Sequence, residues 1–420
     1  MNKRHLSEKD HGTSLRLFLY IWIMYAVVYM TKNCFSGAMA TIVKEGIMTK
    51  SQTGLITALF YAVYAPFQIV GGKMADKYRP DILLLIGLLG AGLSNLIIYL
   101  NQNYIVMLIT WTFNGIIQFG IWPAIFKIVS SELAHDHRIK GVYYITFAST
   151  FGLCFAFISG AIMTDWKNNF LLSAILMFIS AVGLMLIYPK AAKKMIDDDG
   201  TPARAIHHDM EIPENLDTSS KTMFKKCGLY ILLPALISRS VVELGVKNFA
   251  PTMFMESYPY LSDTISNYLN IPIILSSLIG MFIAKRLYPN RISDIMRGIR
   301  MFLTILIPLL GVMIFVGKIN VVLILITLIF AMASSAAAGL FTQYYSMKFA
   351  KYGKNGEVAG IINAGASLGV VVQSFGLTLV ADHFGWQAVM CVLVGLISAA
   401  VLLISIVIPK WKKFTREYHM

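Results

Sequence analysis

The composition of this 420-residue chain excludes an ordinary soluble protein. Hydrophobic residues make up 57% of it and charged residues only 14%, whereas about a quarter of a typical soluble domain is charged. The formal net charge of +14 would suggest a nucleic-acid partner in a soluble protein. Here the basic residues fall mostly in short polar segments between apolar runs, so no nucleic-acid partner is expected.

The cysteines and glycines give no sign of a metal, a disulfide framework or a bound nucleotide. Cys34, Cys154, Cys227 and Cys391 lie singly in or beside apolar segments, without the spacing of metal ligands. No glycine-rich phosphate loop ends in Lys-Ser or Lys-Thr, and no nucleophile stands with a base. We therefore expect no cofactor, no metal and no enzyme activity.

Apolar runs recur along nearly the whole chain. Each has about 20 residues or more, enough to cross the hydrocarbon core of a lipid bilayer. We predict an all-α membrane protein with twelve transmembrane helices, at residues 15–43, 52–75, 81–100, 104–133, 140–164, 168–189, 229–256, 261–287, 294–316, 319–349, 357–381 and 385–408.

One connection is much longer than the others and divides the chain in two. It is rich in charge, includes the run DDDGTP and cannot bury an apolar face, which is typical of a surface linker. The sequence therefore predicts an N-terminal tail at 1–14, a six-helix bundle at 15–189, the linker at 190–226, a second six-helix bundle at 227–408 and a C-terminal tail at 409–420.

The placement of lysine and arginine predicts the orientation in the membrane. Basic residues of short loops stay on the cytoplasmic side. With both termini and the linker cytoplasmic, the basic residues left in outer loops are Lys44, Lys50, Lys167 and Lys318. We expect a multi-pass protein of the cell membrane, present as a monomer.

Charged residues also occur inside the predicted spans. Lys127 lies near a span end, where a lysine can extend its ammonium group to the surface. Lys32 lies deeper, and so do three residues that share one helical face, Arg239, Glu243 and Lys247. A charge at this depth costs a few kcal/mol and usually faces a wet cavity, a partner charge or a ligand. Both charged stretches continue with Lys-Asn and Phe (KNCF and KNFA), which indicates an internal duplication.

Several motifs resemble one family of membrane proteins. The loop after the second span reads GGKMADKYRPD, the fourth span contains NGIIQFGIWPAIFK, and the fifth contains HRIKGVYYITFASTFG. Further matches are GVKNFAPTMF, GEVAGIINAGASLG and DHFGW. These stretches resemble the organophosphate:phosphate antiporter family of the major facilitator superfamily. The resemblance implies two pseudo-symmetric six-helix bundles with the substrate bound near the midplane between them.

The resemblance implies a gating role for Asp76 and Arg79 in the loop after the second span. A carboxylate there can meet cations or a helix N-terminus of the opposite bundle, where the macrodipole is positive, and hold one conformation closed. The alternative is that Asp76 only solvates the loop.

Part of the family's binding site is kept in this chain. Tyr25, Tyr29 and Lys32 fall on matching positions of the first span, and Tyr64 matches in the second. The family favours arginine where Lys32 stands, and lysine lacks the planar fork with which arginine meets a phosphate.

Other family positions are substituted. Gln68 replaces a lysine, Ser149 replaces a histidine, and Glu243 stands where the family has a second arginine. A carboxylate there repels a phosphate, so a dianionic ester fits only if the neighbouring cations turn inward. Arg239 and Lys247, each one turn away, are therefore candidate substrate-binding residues.

Glu243 has two open interpretations. As a proton-coupling residue it pairs with Lys32 in one access state and is protonated, or replaced at Lys32 by substrate, in another. Alternatively it forms a static ion pair with its neighbours on the same helix. Gln118 and Asn363 are likewise open, because polar groups within spans can bind a solute's hydroxyl groups or bridge helices.

These observations predict a secondary active transporter that moves a small polar organic solute by alternating access. An organic anion or phosphorylated metabolite is favoured, carried by exchange with inorganic phosphate or with proton coupling, because the chain has no ATP-binding loop. The alternatives are a proton-coupled carrier of a zwitterionic or neutral solute, an exporter of amphiphilic compounds, and a non-transporting metabolite sensor.

Overall fold

The computed structural model describes residues 8–163, 165–194, 217–261 and 263–418. These residues form helices and turns, with no strand among them. In chain order the helices are α1 (Glu8–Lys44), α2 (Lys50–Lys77), α3 (Pro80–Leu100), α4 (Tyr104–Ile117), α5 (Ile121–Lys127), α6 (His135–Ile162), α7 (Lys167–Lys194), α8 (Ser220–Cys227), α9 (Leu229–Ser257), α10 (Asp263–Leu287), α11 (Ile295–Val312), α12 (Val321–Lys348), α13 (Asn355–Val372) and α14 (Thr378–Glu417).

Within this described part of the chain, 12 helical stretches are long and apolar enough to cross a membrane, as the sequence predicts. One of them, Tyr104–Glu132, joins α4 and α5 through a 3-10 turn and ends in the π-helical turn Ile128–Glu132. Another, His383–Glu417, is the part of α14 around and beyond its bend at Gly385. The predicted all-α membrane class is confirmed.

The terminal helices extend beyond the apolar runs that predicted them. α1 begins at Glu8, inside the predicted tail 1–14. α14 continues through Pro409 to Glu417, so most of the predicted tail 409–420 is helical. The end of an apolar run marks where a helix can leave the hydrocarbon core, and backbone hydrogen bonding carries the helix on beyond that point.

The predicted linker 190–226 is also partly helical. α7 passes through Pro189 and ends at Lys194, while α8 occupies the other end of the linker. Proline removes one hydrogen bond of the ladder but does not always end a helix. The rest of the predicted linker, residues 195–216, lies outside the described residues.

Local signals explain where several helices begin. Thr49 and Gln52 form a capping box at α2, in which each side chain accepts a hydrogen bond from the other residue's backbone N–H. Asn103 caps α4 and Asp294 caps α11 through their side-chain oxygens. Gly228 separates α8 from α9 with φ of +80°, a conformation that strains any residue with a Cβ atom.

The contacts divide the chain into two compact units. The first is Met1–Glu211 with Ser346–Ala364, and the second is Ile212–Tyr345 with Gly365–Met420. The segment Ser346–Ala364 is assigned to the first unit and includes the start of α13. The division of the chain into bundles at 15–189 and 227–408 stays a prediction from the sequence.

The first unit is built around α1 and α3. α1 packs on α6 and α7, α3 packs on α7, and α4 packs on α2. Gly152 of α6 permits the closest of these contacts, because a Cβ atom there would lie 2.3 Å from the carbonyl oxygen of Ala26. Phe35, Trp111 and Phe170 fill the space between helices with their rings and are almost fully buried.

The second unit is built around α9 and α14. α9 packs on α10 and α14, and α14 also packs on α11. Gly280 brings α10 against α12, since a Cβ atom there would lie 1.7 Å from the carbonyl oxygen of Ala333. Tyr345, near the end of α12, contacts both α8 and α14. Its hydroxyl lies 3.2 Å from the Cys227 Sγ of α8, and its ring centre lies 4.7 Å from that of Trp411 in α14. These contacts hold α8 and the end of α14 against α12.

Candidate functional site

The ammonium group of Lys32 lies among aromatic rings in the first unit. Its Nζ is 3.8 Å from the ring centre of Tyr64, 5.1 Å from Tyr61, 5.6 Å from Phe60 and 5.9 Å from Tyr29. The side chain is half-buried, and it forms no ion pair with the described carboxylates of this unit. Each cation–π contact is worth about 0.5–2 kcal/mol, so the rings hold the charge without neutralising it.

The rings around Lys32 come from two adjacent helices. Tyr29 lies on α1, one turn before Lys32, while Phe60, Tyr61 and Tyr64 lie on one side of α2. The sequence resemblance identified Tyr29 and Tyr64 but missed Phe60. The spacing of aromatic residues in the run FYAVY is the signal that could have found it.

Tyr25 extends this aromatic group along α1. Its ring meets Tyr29 edge-on at 5.2 Å and stacks on Trp122 of α5 at 5.2 Å. Tyr25 is nearly fully buried, so it contributes to the wall of the candidate site through packing. We define the aromatic cage as Tyr29, Phe60, Tyr61 and Tyr64 around Lys32.

A chain of amide side chains continues from the aromatic cage. Asn363 Nδ2 donates to Gln68 Oε1 at 2.7 Å and to the Tyr64 hydroxyl at 3.3 Å. Gln68 Nε2 in turn donates to the carbonyl oxygen of Phe119 at 2.9 Å. The predicted site residue Asn363 therefore contacts α2 at two positions, Tyr64 of the aromatic cage and Gln68 one turn later.

Gln118 makes a local contact. Its Nε2 donates to Asn114 Oδ1 at 2.8 Å, one turn earlier in the same span. The Nδ2 of Asn114 is buried and has no hydrogen-bond partner among the described residues. A buried donor left unpaired costs about 1–3 kcal/mol, so Asn114 is a candidate hydrogen-bond donor to a solute.

Asp76 binds the beginning of α13 within the first unit. Its Oδ1 accepts from the Gly356 N–H at 3.0 Å, and its Oδ2 accepts from the Glu357 N–H at 2.6 Å. The Lys127 Nζ donates to the carbonyl oxygens of Ala75 and Asp76 at 2.5 and 2.9 Å. The carboxylate thus accepts from two N–H groups at the positive end of a helix. The gating role expected for Asp76 stays a prediction.

Arg79 makes a different contact from Asp76. Its guanidinium meets the carboxylate of Asp81 at 2.6 and 3.1 Å, at the start of α3. This pair is local and largely exposed on the arginine side, so it contributes little stability. The structure does not bring Arg79 to Asp76 or to α13.

The three charged residues of α9 form a single ion-pair group in the second unit. Arg239 Nη1 donates to Glu243 Oε2, and Lys247 Nζ donates to Glu243 Oε1 at 2.8 Å. Ser335 of α12 adds a hydrogen bond from its hydroxyl to Glu243 Oε2 at 3.2 Å. All three charged side chains are less than one-fifth exposed, at 16%, 17% and 13%. The shared face predicted from the sequence is present.

This ion-pair group keeps one excess positive charge. Glu243 is bound by both cations, and its proton-coupling and static interpretations both stay predictions. The Nε atom of Arg239 is buried without a hydrogen-bond partner among the described residues. Lys32 and Glu243 belong to different units, and their pairing stays a prediction.

Among the residues that the structure describes, twelve helical stretches long and apolar enough to cross a bilayer define a multi-pass membrane protein. The chain belongs to the major facilitator superfamily, since the sequence profile named Major Facilitator Superfamily matches residues 21–374.

Relatives by sequence agree with the antiporter family to which the motifs point. A probable hexose phosphate transport protein of Chlamydia trachomatis serovar D is 23% identical over 427 residues, covering 94% of this chain and 91% of its own. The membrane sensor protein UhpC of Escherichia coli K12 is 25% identical over 122 residues, 29% of this chain and 28% of its own. These relatives are transport and sensor proteins.

Solved structures share the fold at low sequence identity. The proton:xylose symporter XylE superposes with a TM-score of 0.71 at 15% identity, covering 94% of this chain and 95% of that one. The transporter FucP in its outward conformation superposes with a TM-score of 0.64 at 15% identity, covering 94% and 99%. The likeness supports the fold and carries nothing about the substrate.

Proposed function

We propose that this protein is a secondary active transporter of a small organic anion, with phosphorylated metabolites as the first substrate class. The observation that carries the proposal is the ammonium group of Lys32, which aromatic rings surround and no described carboxylate of the same unit neutralises. An anion that reaches Lys32 gains a charge-assisted contact in a setting of low dielectric. The similarity to a probable hexose phosphate transport protein favours the same class.

The excess charge on α9 supports an anionic rather than a neutral solute. Arg239 and Lys247 outnumber Glu243, and the unpaired Nε of Arg239 is a further donor. In the proposed cycle an anion draws Arg239 or Lys247 away from Glu243, or protonation of Glu243 frees them. Either event couples substrate binding to a change in the ion-pair group.

Asp76 is proposed to hold one access state closed. Its two hydrogen bonds to the first turn of α13 are made by a full charge at a helix N-terminus, so breaking them has a cost. Opening of the gate requires substrate-dependent contacts that offset this cost. Arg79 is proposed to support the loop through Asp81.

The distribution of basic residues supports a location in the cell membrane with both termini on the cytoplasmic side.

Proteoliposome transport tests this function. Purified protein is reconstituted with and without internal phosphate, and uptake of labelled hexose phosphates and glycerol phosphate is compared with uptake of the parent sugar and glycerol. We expect saturable uptake of a phosphate ester that depends on internal phosphate or on a pH gradient. Uptake of only the neutral compounds would contradict an anion transporter.

A second candidate function is a membrane sensor, favoured by the similarity to UhpC over 122 residues. A sensor binds the same anion without moving it. Two measurements on the same preparation separate the two functions. If the protein is a sensor, the phosphate ester raises its unfolding temperature but the proteoliposomes show no flux of the ester. Flux with a turnover well above the leak of empty liposomes excludes this second candidate.

A further inference from the structure

A groove in the second unit is lined by lysine side chains from two helices. Its volume is about 740 Å³. α8 and α14 line it with charged residues at helical spacing, Lys221, Lys225, Lys226, Lys410, Lys413 and Glu417. The two helices therefore present several ammonium groups to one opening, and none of these residues belongs to the proposed transport site.

The groove carries a large positive charge. Glu417 is its one carboxylate among the described lining residues, and Lys226 Nζ binds its Oε1 at 2.6 Å. The other four lysines are exposed and have no ion-pair partner in the described part of the chain. Like charges gathered in one concave opening repel each other and attract anions.

α8 is held with its lysines facing out of the unit. Met223, Phe224 and Cys227 are buried on its other side. Gly228 then leads directly into the membrane span that begins at Leu229. A short helix with an apolar buried side and a basic outer side, adjoining a transmembrane helix, is expected to lie at the depth of lipid headgroups.

The face of α14 that leads to the groove is apolar and exposed. Leu402 is 67% exposed and Ile406 is 53% exposed, and the same helical face continues to Lys410 and Lys413. Tyr230 at the start of α9 is 56% exposed, as is usual for aromatic residues at the membrane interface. The surface therefore changes from apolar to basic over about two helical turns.

We propose that this groove binds the phosphate headgroup of an anionic membrane phospholipid. The lysines of α8 and α14 contact the headgroup oxygens, and an acyl chain lies along Leu402 and Ile406. A free phosphate would gain the ionic contacts but not the apolar ones, which is why the lipid is the chosen ligand. The bound lipid neutralises the repulsion between the two lysine sets and holds α8 in place at the start of α9.

Native mass spectrometry of the full-length protein in a neutral detergent tests the proposal. Phosphatidylglycerol and phosphatidylcholine of identical chains are titrated into wild-type protein and into the variant Lys221→Gln, Lys225→Gln, Lys413→Gln. The wild type is expected to retain phosphatidylglycerol preferentially, and the variant is expected to bind it about fivefold more weakly per lysine removed, the effect of one basic residue near an anionic surface. Lys226 is left intact because it pairs with Glu417.

A matched control removes the same charge elsewhere. The variant Lys140→Gln, Lys190→Gln, Lys193→Gln changes three exposed lysines of the first unit and is expected to keep the wild-type preference. Equal loss of binding in both triple variants, or equal retention of both lipids by the wild type, overturns the proposal in favour of general surface charge. Displacement of phosphatidylglycerol by inorganic phosphate or glycerol phosphate at concentrations comparable to the lipid overturns the choice of a lipid.

Discussion

Lys32 differs from most lysines within membrane spans in what surrounds it. A lysine at membrane depth usually pairs with a carboxylate, whereas rings of the aromatic cage hold this one. Rings stabilise a cation through their negative faces and leave its charge available to an anion. Lysine can therefore serve in place of arginine here, with one point charge instead of a planar fork.

The cage predicts a coupling between Lys32 and Tyr64. We expect Tyr64→Leu to lower the free energy of unfolding by about 1–2 kcal/mol more in the wild type than in a Lys32→Met background, because only the first loses a cation–π contact. Thermal unfolding of the four proteins of the cycle measures the difference. Tyr64→Phe keeps the ring and serves as the control. Equal losses in both backgrounds would show that the ring contributes packing alone.

The ion-pair group predicts an asymmetric response to removing its carboxylate. Glu243→Gln leaves two cations poorly compensated at low exposure, which costs about 3–5 kcal/mol for a buried pair. The double variant Arg239→Met, Glu243→Gln leaves only Lys247 and is expected to be more stable than Glu243→Gln alone. A double variant less stable than the single one would mean that Arg239 is held mainly by other contacts, such as the Ser335 carbonyl oxygen.

At the scale of elements, α13 depends on Asp76 for its first turn. Asp76→Asn is expected to weaken the two bonds to Gly356 and Glu357, by about 1–2 kcal/mol for a charge at a helix N-terminus. Hydrogen exchange at residues 355–358 should become faster in this variant. Asp81→Asn is the matched control, because Asp81 contacts Arg79 instead. Unchanged exchange in Asp76→Asn rules out a latch at this position.

Each unit also joins two of its helices through an indole and a carboxylate. In the first, Trp166 Nε1 donates to Glu45 Oε2 at 3.1 Å; in the second, Trp386 Nε1 donates to Glu256 Oε2 at 2.7 Å. These bonds link the end of α1 to the start of α7 and the end of α9 to α14. Their recurrence agrees with the internal duplication indicated by the sequence.

The first of these bonds predicts a stability difference between two substitutions. Trp166 is almost fully buried, so Glu45→Ala is expected to cost about 1 kcal/mol by leaving its N–H unpaired. Glu45→Gln keeps an acceptor oxygen and is expected to remain close to wild type. Thermal unfolding of the two variants makes the comparison, and equal stability of both would mean that the indole N–H finds water instead.

Hydrophobicity predicted the spans but not the full helices. Runs of about 20 apolar residues identify a membrane crossing with little ambiguity, because the bilayer requires them. Beyond the apolar run the same signal disappears, so the continuation of α7 past Pro189 and of α14 past Pro409 was missed. α8 is short and rich in lysine, and its burial depends on tertiary contacts of Phe224 and Cys227 that no local pattern encodes.

At the scale of the whole molecule, the sequence predicted which charges lie within the spans but not what holds them. The i, i+4, i+8 spacing is sufficient to place Arg239, Glu243 and Lys247 on one face. The cage around Lys32 combines two helices, so it depends on tertiary packing. The unpaired donor of Asn114 depends on the side-chain conformation of Gln118, which helical spacing alone does not determine. The family resemblance indicated Tyr64 and Asp76 because their positions follow motifs rather than packing, and their functional roles stay predictions.

The central claim is that Lys32 provides the charge that selects an anionic substrate. Binding affinity of the purified protein for a transported phosphate ester and for its neutral parent sugar, in wild type, Lys32→Gln and the surface control Lys190→Gln, tests it most directly. We expect Lys32→Gln to weaken binding of the ester by about tenfold or more, as for loss of a charged hydrogen bond, and to leave binding of the neutral sugar unchanged, with no effect in the control. An unchanged preference for the ester in Lys32→Gln would contradict the claim.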